Sequence, residues 1–224
     1  MPPTSVQELS QNRVLLVSLK LEPYFDDMYK SLLDGITSKS RLQRAKSATS
    51  AIRALSELPA PTAVLVTDQA LTEPENVAVW EAALQYIRQG GTVVAMGHFP
   101  SFVPPLDMKP FFAKAGLPWE AGSYHRTTLS LNRAAVEGAV ASKLPSEYSQ
   151  KALAVKNVAP GDMWYHTTPD SVVESRVFGP SSVHNRRESP TVLAKVGNGK
   201  LGYMGDVNAE EESNLVILAM CGFL

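Results

Sequence analysis

The chain of 224 residues carries a formal charge of −1, from 21 basic and 22 acidic side chains, and 44% of its residues are hydrophobic. This balance gives no net positive field for a phosphate backbone, so we expect no nucleic-acid partner, and the apolar content suffices for one packed domain over residues 1–224. Cys221 is the single cysteine, which excludes an internal disulfide and a thiolate metal cage.

The first twelve residues, Met1 to Asn12, have neither a basic n-region nor an apolar h-region. No later segment reaches the roughly 18 uninterrupted apolar residues of a membrane span. We therefore expect neither secretion nor membrane insertion. The lone cysteine is also typical of a reducing compartment, which favours the cytoplasm.

Three short apolar runs predict interior strands, because continuous runs of branched residues are typical of parallel strands that are covered on both faces. They are Arg13 to Leu19, Thr62 to Thr67 and Thr92 to Met96. Apolar residues at three- and four-residue spacing predict helices from Tyr24 to Ile36 and from Leu42 to Leu55. The second helix would carry a basic stretch that we interpret as a solvated face: Arg41, Arg44, Lys46 and Arg53.

A third helix is predicted between the second and third strands. Thr72 and Glu75 have the spacing of a capping box, and Gly90-Gly91 closes the apolar stripe. A strand, a helix and a strand within about thirty residues indicate a right-handed parallel crossover. This region predicts an α/β fold with a mostly parallel sheet.

The later third of the chain predicts elements that are added to the edge of this sheet. Short strands are expected at Thr127 to Leu131 and Lys151 to Val158, whereas residues 160–190 give mixed signals. The Asn-Gly pair within Gly197-Asn198-Gly199 predicts a type I′ hairpin between Thr191 and Met204. An acidic first turn and an apolar run predict a final helix from Glu210 to Phe223.

Candidate site residues follow from the position of ligand crevices in open parallel sheets, which lie outside the carboxyl ends of the strands. Polar and aromatic residues follow the first, second and third strands and the hairpin, and we expect them along one rim. They are Lys20 and Glu22, Asp68 and Gln69, His98, Phe99 and Ser101, and Asp206 and Asn208.

His98 is the candidate general base, because histidine titrates near neutral pH and this one directly follows a glycine at the end of a central strand. Asp68 or Asp206 would orient its ring. The alternative is a structural histidine that bonds a loop carbonyl, and Asp206 has the alternative of closing a turn or capping the last helix. No metal site is expected, because no two histidines have zinc-site spacing, and no cofactor motif is present.

The segments Ala63 to Phe102 and Val192 to Phe223 resemble the class I glutamine amidotransferase-like superfamily. The resemblance is carried by a strand ending at Asp68, a helix closing on Gly90-Gly91, a strand ending at Gly97, and a late hairpin with Gly199-Lys200 and Gly205-Asp206. It covers about two thirds of the chain, and it is closest to uncharacterised or trehalose-utilisation-type members lacking the catalytic cysteine. The resemblance implies a flavodoxin-like three-layer sandwich.

Active members of that superfamily place a nucleophilic cysteine in the turn after a central strand and a His-x-Glu pair later in the chain. Here His98 stands where the cysteine is expected, and the sequence contains no His-x-Glu. The resemblance therefore implies a catalytically silent domain that binds a small molecule or a protein partner at the strand ends. The alternative is a hydrolase or lyase that uses His98 with Asp68 or Asp206, and a homo-oligomer is a third possibility.

Overall fold

The computed structural model of the chain describes residues 12–175, 177 and 179–224. The expectation about secretion rests on residues 1–12, of which the first eleven lie outside the described part.

Strands and helices alternate in the first half of the described chain, and strands dominate the second half. The strands are β1 (Arg13–Val17), β2 (Arg41–Ala45), β3 (Ala63–Val66), β4 (Thr92–Ala95), β5 (Glu120–Leu131), β6 (Glu147–Lys156), β7 (Met163–His166), β8 (Glu188–Ser189), β9 (Thr191–Val196) and β10 (Gly199–Met204). The α-helices are α1 (Phe25–Met28), α2 (Lys30–Thr37), α3 (Ala48–Ser56), α4 (Val77–Arg88), α5 (Phe99–Phe102), α6 (Pro105–Ala113), α7 (Gly138–Ala141) and α8 (Glu211–Met220). Short 3₁₀ turns cover Gln69–Thr72, Pro74–Asn76 and Pro160–Asp162.

All strands of the described residues join one sheet in the order β2-β1-β3-β4-β10-β9-β7-β5-β6-β8. The pairs from β2 to β10 are parallel, and the pairs from β10 to β8 are antiparallel. The predicted α/β, flavodoxin-like class is thereby confirmed. The antiparallel part is larger than the predicted hairpin, because β5 to β8 extend the same sheet.

The parallel strands are buried on both faces, as their apolar runs predict. In β1, Val14 and Leu16 join one hydrophobic cluster, and Leu15 and Val17 join the other. Side chains of α3, α4 and α6 complete the cluster on one face, and side chains of α1, α2 and α8 complete the cluster on the opposite face. The sheet and the helices on its two faces therefore form three layers.

The prediction of one helix from Leu42 to Leu55 was wrong. Residues Arg41–Ala45 form β2, which pairs in parallel with β1 at the sheet edge, and α3 begins only at Ala48. Ser47 ends the strand segment and caps the helix, because its hydroxyl accepts from the Ser50 N–H and Ser50 reciprocates. The basic stretch is therefore divided, with Arg41 and Arg44 on an edge strand, where charged side chains discourage further pairing.

Two local predictions also differ from the structure. The Thr72 and Glu75 capping box does not form, because Thr72 ends a 3₁₀ turn, its hydroxyl donates to the Gln69 carbonyl at 2.9 Å, and α4 begins at Val77. In the hairpin, Val196 pairs with Gly199, so Gly197 and Asn198 are the loop residues. Gly197 has a φ of +60° while Asn198 does not have positive φ, which is the pattern of a type II′ turn with glycine first.

Strand β6 also runs beside the segment that follows β10. The Leu153 N–H donates to the Gly205 carbonyl at 3.0 Å, and the Val207 N–H donates to the Lys151 carbonyl at 3.1 Å. Ala152 and Asp206 form an antiparallel bridge between these bonds. The antiparallel part of the sheet thus fixes the backbone at Asp206.

Candidate functional site

The carboxyl ends of the parallel strands meet at one edge of the sheet. Strands β1, β3 and β4 lie side by side in the same direction, as the sequence predicts, and β10 continues the row next to β4. The Lys20 N–H donates to Asp68 Oδ2 at 3.0 Å, and the His98 N–H donates to the Thr67 carbonyl at 2.9 Å. These bonds tie the loops after β1, β3 and β4 together.

Asp68 is a buried carboxylate that organises this edge. Its Oδ2 atom accepts from Lys20, and its Oδ1 atom accepts from the Ala70 N–H at 3.0 Å, which caps the 3₁₀ turn after β3. Burial raises the pKa of Asp68, and the two N–H donors act in the opposite direction. Both carboxylate oxygens are therefore engaged by the backbone.

Asp206 has the same kind of role after β10. Its Oδ1 atom accepts from the Asn208 N–H and its Oδ2 atom accepts from the Glu210 N–H, both at 2.8 Å. Burial raises the pKa of Asp206, and the hydrogen bonds, including one with Ser213, counteract that rise. Asp206 closes the turn that leads to α8, as one of the two sequence interpretations states.

His98 is 3% exposed and lies among aromatic rings. The distances from its ring centroid to theirs are 5.1 Å for Tyr24, 5.3 Å for Phe25, 5.8 Å for Tyr29 and 5.5 Å for Phe102. Two buried polar atoms of this cluster, His98 Nε2 and Tyr29 Oη, have no hydrogen-bond partner among the described residues. Tyr24 and Phe102 form its outer side, with 49% and 44% of their surface exposed.

Burial favours the neutral form of the His98 ring. Burial lowers its pKa below the ordinary value of 6.5, and the nearby charge of Glu22 acts in the opposite direction. Within the described residues no hydrogen bond joins this ring to Asp68 or Asp206. The carboxylate that acts on His98 is thus Glu22, in the loop after β1.

The remaining predicted residues have different surroundings. Lys20 forms an ion pair with Glu73, and the Gln69 carbonyl accepts the Thr72 hydroxyl. Phe99 is fully buried on the face of the sheet opposite to Phe25 and Tyr29. Its ring centroid lies 5.2 Å from that of Phe111. Ser101 is exposed on α5. The side chain of Phe99 is therefore part of the core.

Gly97 gives the turn after β4 its shape. Its φ is +69°, and a Cβ atom there would lie 3.0 Å from the Phe25 ring and 3.2 Å from the Thr67 carbonyl oxygen, so only glycine fits without strain. The turn leads from β4 through His98 into α5. The thiol of Cys221, in contrast, lies at the end of α8, and burial raises its pKa to about 12.

Sequence reasoning missed the aromatic side of the site. The sequence pattern places Tyr24 and Phe25 on a helix face and does not single out Tyr29, and no local pattern connects these rings with His98, which is about seventy residues away. Phe102 follows His98 by one helical turn, which is the one signal that the sequence offers for such a contact.

Residues 12–175, 177 and 179–224 contain no group of three or more histidine, cysteine, aspartate or glutamate side chains that could hold a metal ion. Within the same residues, no helix has the length and apolar character needed to cross a membrane.

The α/β fold of the chain is similar to those of several solved structures. Among solved structures, a protein from Bacteroides uniformis described as ThuA-like matches with a TM-score of 0.57 at 12% identity, covering 97% of this chain and 93% of that chain. A second ThuA-like protein, from Parabacteroides merdae, matches with a TM-score of 0.52 at 12% identity, covering 95% and 91%. The predicted trehalose-utilisation-type resemblance is confirmed at the level of fold.

A β-galactosidase from Bacillus circulans shares the fold within a longer chain. It matches with a TM-score of 0.58 at 12% identity, and the match covers 95% of this chain and 31% of that enzyme. This chain thus corresponds to about a third of the enzyme's length. No family model matches the sequence, and no curated protein gives a significant match.

Proposed function

We propose that the chain is a catalytically silent amidotransferase-like domain that binds an uncharged small molecule of the sugar or polyol class at the crevice around His98. The observation that carries this proposal is the pair of buried, unpartnered polar atoms, His98 Nε2 and Tyr29 Oη, beneath half-exposed aromatic rings. The occupant, rather than the protein, would then satisfy these atoms.

The residues around His98 support the proposal that the domain does not hydrolyse glutamine. The resemblance implies that hydrolysis of glutamine uses a cysteine thiolate in the turn after a central strand, and the turn after β4 carries His98 and no cysteine. The lone thiol, Cys221, is buried at the end of α8 with a pKa of about 12. Asp68 and Asp206, the expected orienting carboxylates, both direct their oxygens to backbone N–H groups.

The class of ligand follows from polarity and charge. An unsatisfied buried polar group costs about 1–3 kcal/mol, and a ligand hydroxyl that bonds His98 Nε2 or Tyr29 Oη recovers part of that cost. A neutral imidazole offers no charge to an anion, and the carboxylate of Glu22 disfavours one. Rings such as Tyr24 and Phe102 offer apolar faces to the C–H groups of a sugar, and they turn aside readily because they are half exposed.

The fold neighbours support a sugar ligand, since they include ThuA-like proteins and a β-galactosidase.

A cytoplasmic location is part of the proposal, supported by the lone cysteine and by a neighbour from Salmonella typhimurium described as a cytoplasmic protein. Self-association is proposed as well, and a monomer in sedimentation at high concentration would contradict it.

A second candidate is a hydrolase or lyase with His98 as general base. The observation that favours it is the effect of the Glu22 charge on the His98 ring, whose Nε2 atom has no hydrogen-bond partner in the part of the chain that the structure describes. In this mechanism Glu22, in place of Asp68 or Asp206, is the carboxylate that stabilises the imidazolium.

Calorimetric titration with trehalose and with D-galactose tests the binding proposal. We expect binding to the wild type and a loss of about tenfold or more, equivalent to about 1.4 kcal/mol, for Tyr29→Phe and for His98→Phe. Tyr29→Phe removes only the hydroxyl, and His98→Phe replaces the imidazole by a phenyl ring without polar atoms. Tyr124→Phe is the matched control, because Tyr124 is 56% exposed and lies on β5.

Two results would overturn the proposal. One is the absence of binding of either sugar, or binding that Tyr29→Phe and His98→Phe leave unchanged. The other is activity: release of ammonia from L-glutamine, or hydrolysis of 4-nitrophenyl acetate at a rate that His98→Ala abolishes, would contradict catalytic silence. Hydrolysis of 4-nitrophenyl acetate that depends on His98 would support the second candidate, in which His98 is the general base.

A further inference from the structure

A separate cavity of about 540 Å³ lies at the other end of the sheet. Its lining includes Thr92 at the start of β4, Lys200 near the start of β10, and Cys221 at the end of α8. His98 follows the carboxyl end of β4 and does not line this cavity. The volume is within the range of small-molecule sites, about 300–1,000 Å³.

Two lysines on the cavity wall face each other across neighbouring strands. Lys195 of β9 and Lys200 of β10 are direct partners in the antiparallel register. Like charges in that position are destabilising. Neither ammonium has a carboxylate within 4.0 Å among the described residues. Both side chains are exposed, so water screens much of this repulsion, and an anion between the two ammonium groups would neutralise the rest.

Acidic and aromatic side chains contribute to the same lining. Glu137 and Asp162 line the cavity and form no ion pair with the described residues, and burial raises the pKa of Asp162. Trp164, which is 8% exposed, adds an aromatic surface. Carboxylates accept hydrogen bonds from ligand hydroxyls, and an indole ring packs against the C–H face of a polyol.

We infer that this cavity binds a phosphorylated sugar or polyol. The phosphate lies between Lys195 and Lys200, and the hydroxyl groups are directed to Glu137 and Asp162. A phosphate monoester carries about −1.5 to −2 charges at pH 7, which matches two ammonium groups better than a single carboxylate does. This site is independent of the crevice at His98.

The probes are D-glucose 6-phosphate, inorganic phosphate and D-glucose, titrated calorimetrically into the full chain. We expect glucose 6-phosphate to bind more tightly than inorganic phosphate, glucose to bind weakest, and added salt to weaken the two anionic probes. Lys195→Gln and Lys200→Gln should each reduce glucose 6-phosphate affinity about tenfold or more. Lys39→Gln, a change at an exposed lysine in the turn after α2 that does not line the cavity, should leave it unchanged.

Two further readouts separate a ligand site from a general charge effect. Because Lys195 and Lys200 repel each other, either glutamine variant should melt at or above the wild-type temperature while it loses affinity. Asp162→Asn should weaken glucose 6-phosphate binding and leave inorganic phosphate binding unreduced. The inference is overturned if neither anionic probe binds the wild type, or if the two lysine variants bind as the wild type does. His98→Phe should leave the affinities for the two anionic probes unchanged, because His98 does not line this cavity.

Discussion

Replacing Gly205 by alanine tests the contact between β6 and the segment after β10. A Cβ atom at this position would lie 2.1 Å from the Leu153 carbonyl oxygen, a backbone atom that cannot rotate away. The Gly205 carbonyl accepts from the Leu153 N–H at 3.0 Å, and the Gly205 N–H donates to the Pro190 carbonyl at 2.7 Å. The two segments must therefore separate, and these hydrogen bonds weaken or break.

Overpacking costs about 1–3 kcal/mol, and each lost hydrogen bond adds about 0.5–1.5 kcal/mol, so we expect Gly205→Ala to lose roughly 2–4 kcal/mol of unfolding free energy. For a chain of this size the corresponding fall in Tm is roughly 5–15 °C. Urea denaturation and calorimetry measure both quantities. Because Asp206 adjoins the disturbed segment, sugar binding at the crevice should weaken as well.

Gly138→Ala is the matched control for this experiment. Gly138 begins α7, and a Cβ atom there meets no other atom within 4 Å. Alanine in this position should leave stability unchanged or raise it by about 0.4–1 kcal/mol, because it restricts the unfolded chain. Surface substitutions usually change the unfolding free energy by no more than about 0.5 kcal/mol. If Gly205→Ala changed it by no more than this, the close contact between Gly205 and β6 would be refuted.

Three further predictions concern buried groups. Arg13→Met should cost about 2–4 kcal/mol in urea denaturation, because the guanidinium, buried at the start of β1, donates to two backbone carbonyls that would lose their partners. Arg53 forms an exposed ion pair, so Arg53→Met should change the unfolding free energy by no more than about 0.5 kcal/mol. Equal losses of unfolding free energy in the Arg13 and Arg53 variants would contradict this expectation. Cys221 should resist a thiol reagent in the native protein and react in denaturant, since burial raises its pKa to about 12; rapid native labelling would contradict its burial. Burial lowers the pKa of His98, so between the folded pKa and about 6.5 the unfolded state binds more protons, and stability decreases as pH falls through that interval. His98→Phe should make stability less sensitive to pH there, and an unchanged profile would refute the shift.

The parallel strands were predictable because their pattern is local. Runs such as Val14 to Val17 and Val64 to Val66 consist of apolar residues without alternation, and that pattern requires cover on both faces. Strand β2 was missed for the same physical reason. It is an edge strand with Arg41 and Arg44 on it, so it lacks the apolar run, and the spacing of its leucine and alanine imitates a helix.

The antiparallel extension depends on pairings between distant residues. Strand β7 pairs with both β5 and β9, and β6 pairs with β8, over separations that no local pattern specifies. The short β8 has only two residues, Glu188 and Ser189, which is too few for a periodic signal. Residues 160–190 therefore gave mixed signals.

The position of the candidate site could be predicted from the sequence, but the hydrogen bonds and packing contacts of its residues could not. The strand-end rule selected Asp68, His98 and Asp206, and the structure brings the loops that carry them to one edge. The hydrogen bonds of the two aspartates and the aromatic neighbours of His98 depend on packing between the loop after β1 and the turn after β4. Such contacts leave no spacing in the sequence.

We propose that His98 is a neutral ring, that its Nε2 atom has no hydrogen-bond partner among the described residues, and that this ring contacts the ligand. Long-range ¹H–¹⁵N NMR spectra of the histidine rings, recorded at neutral pH with and without trehalose, test it most directly. We expect a neutral pattern for His98 and a change at its Nε2 on sugar addition that exceeds any change in the other rings, those of His125, His166 and His184. A cationic His98 ring at neutral pH, or a His98 signal that saturating trehalose leaves unmoved, would contradict the claim.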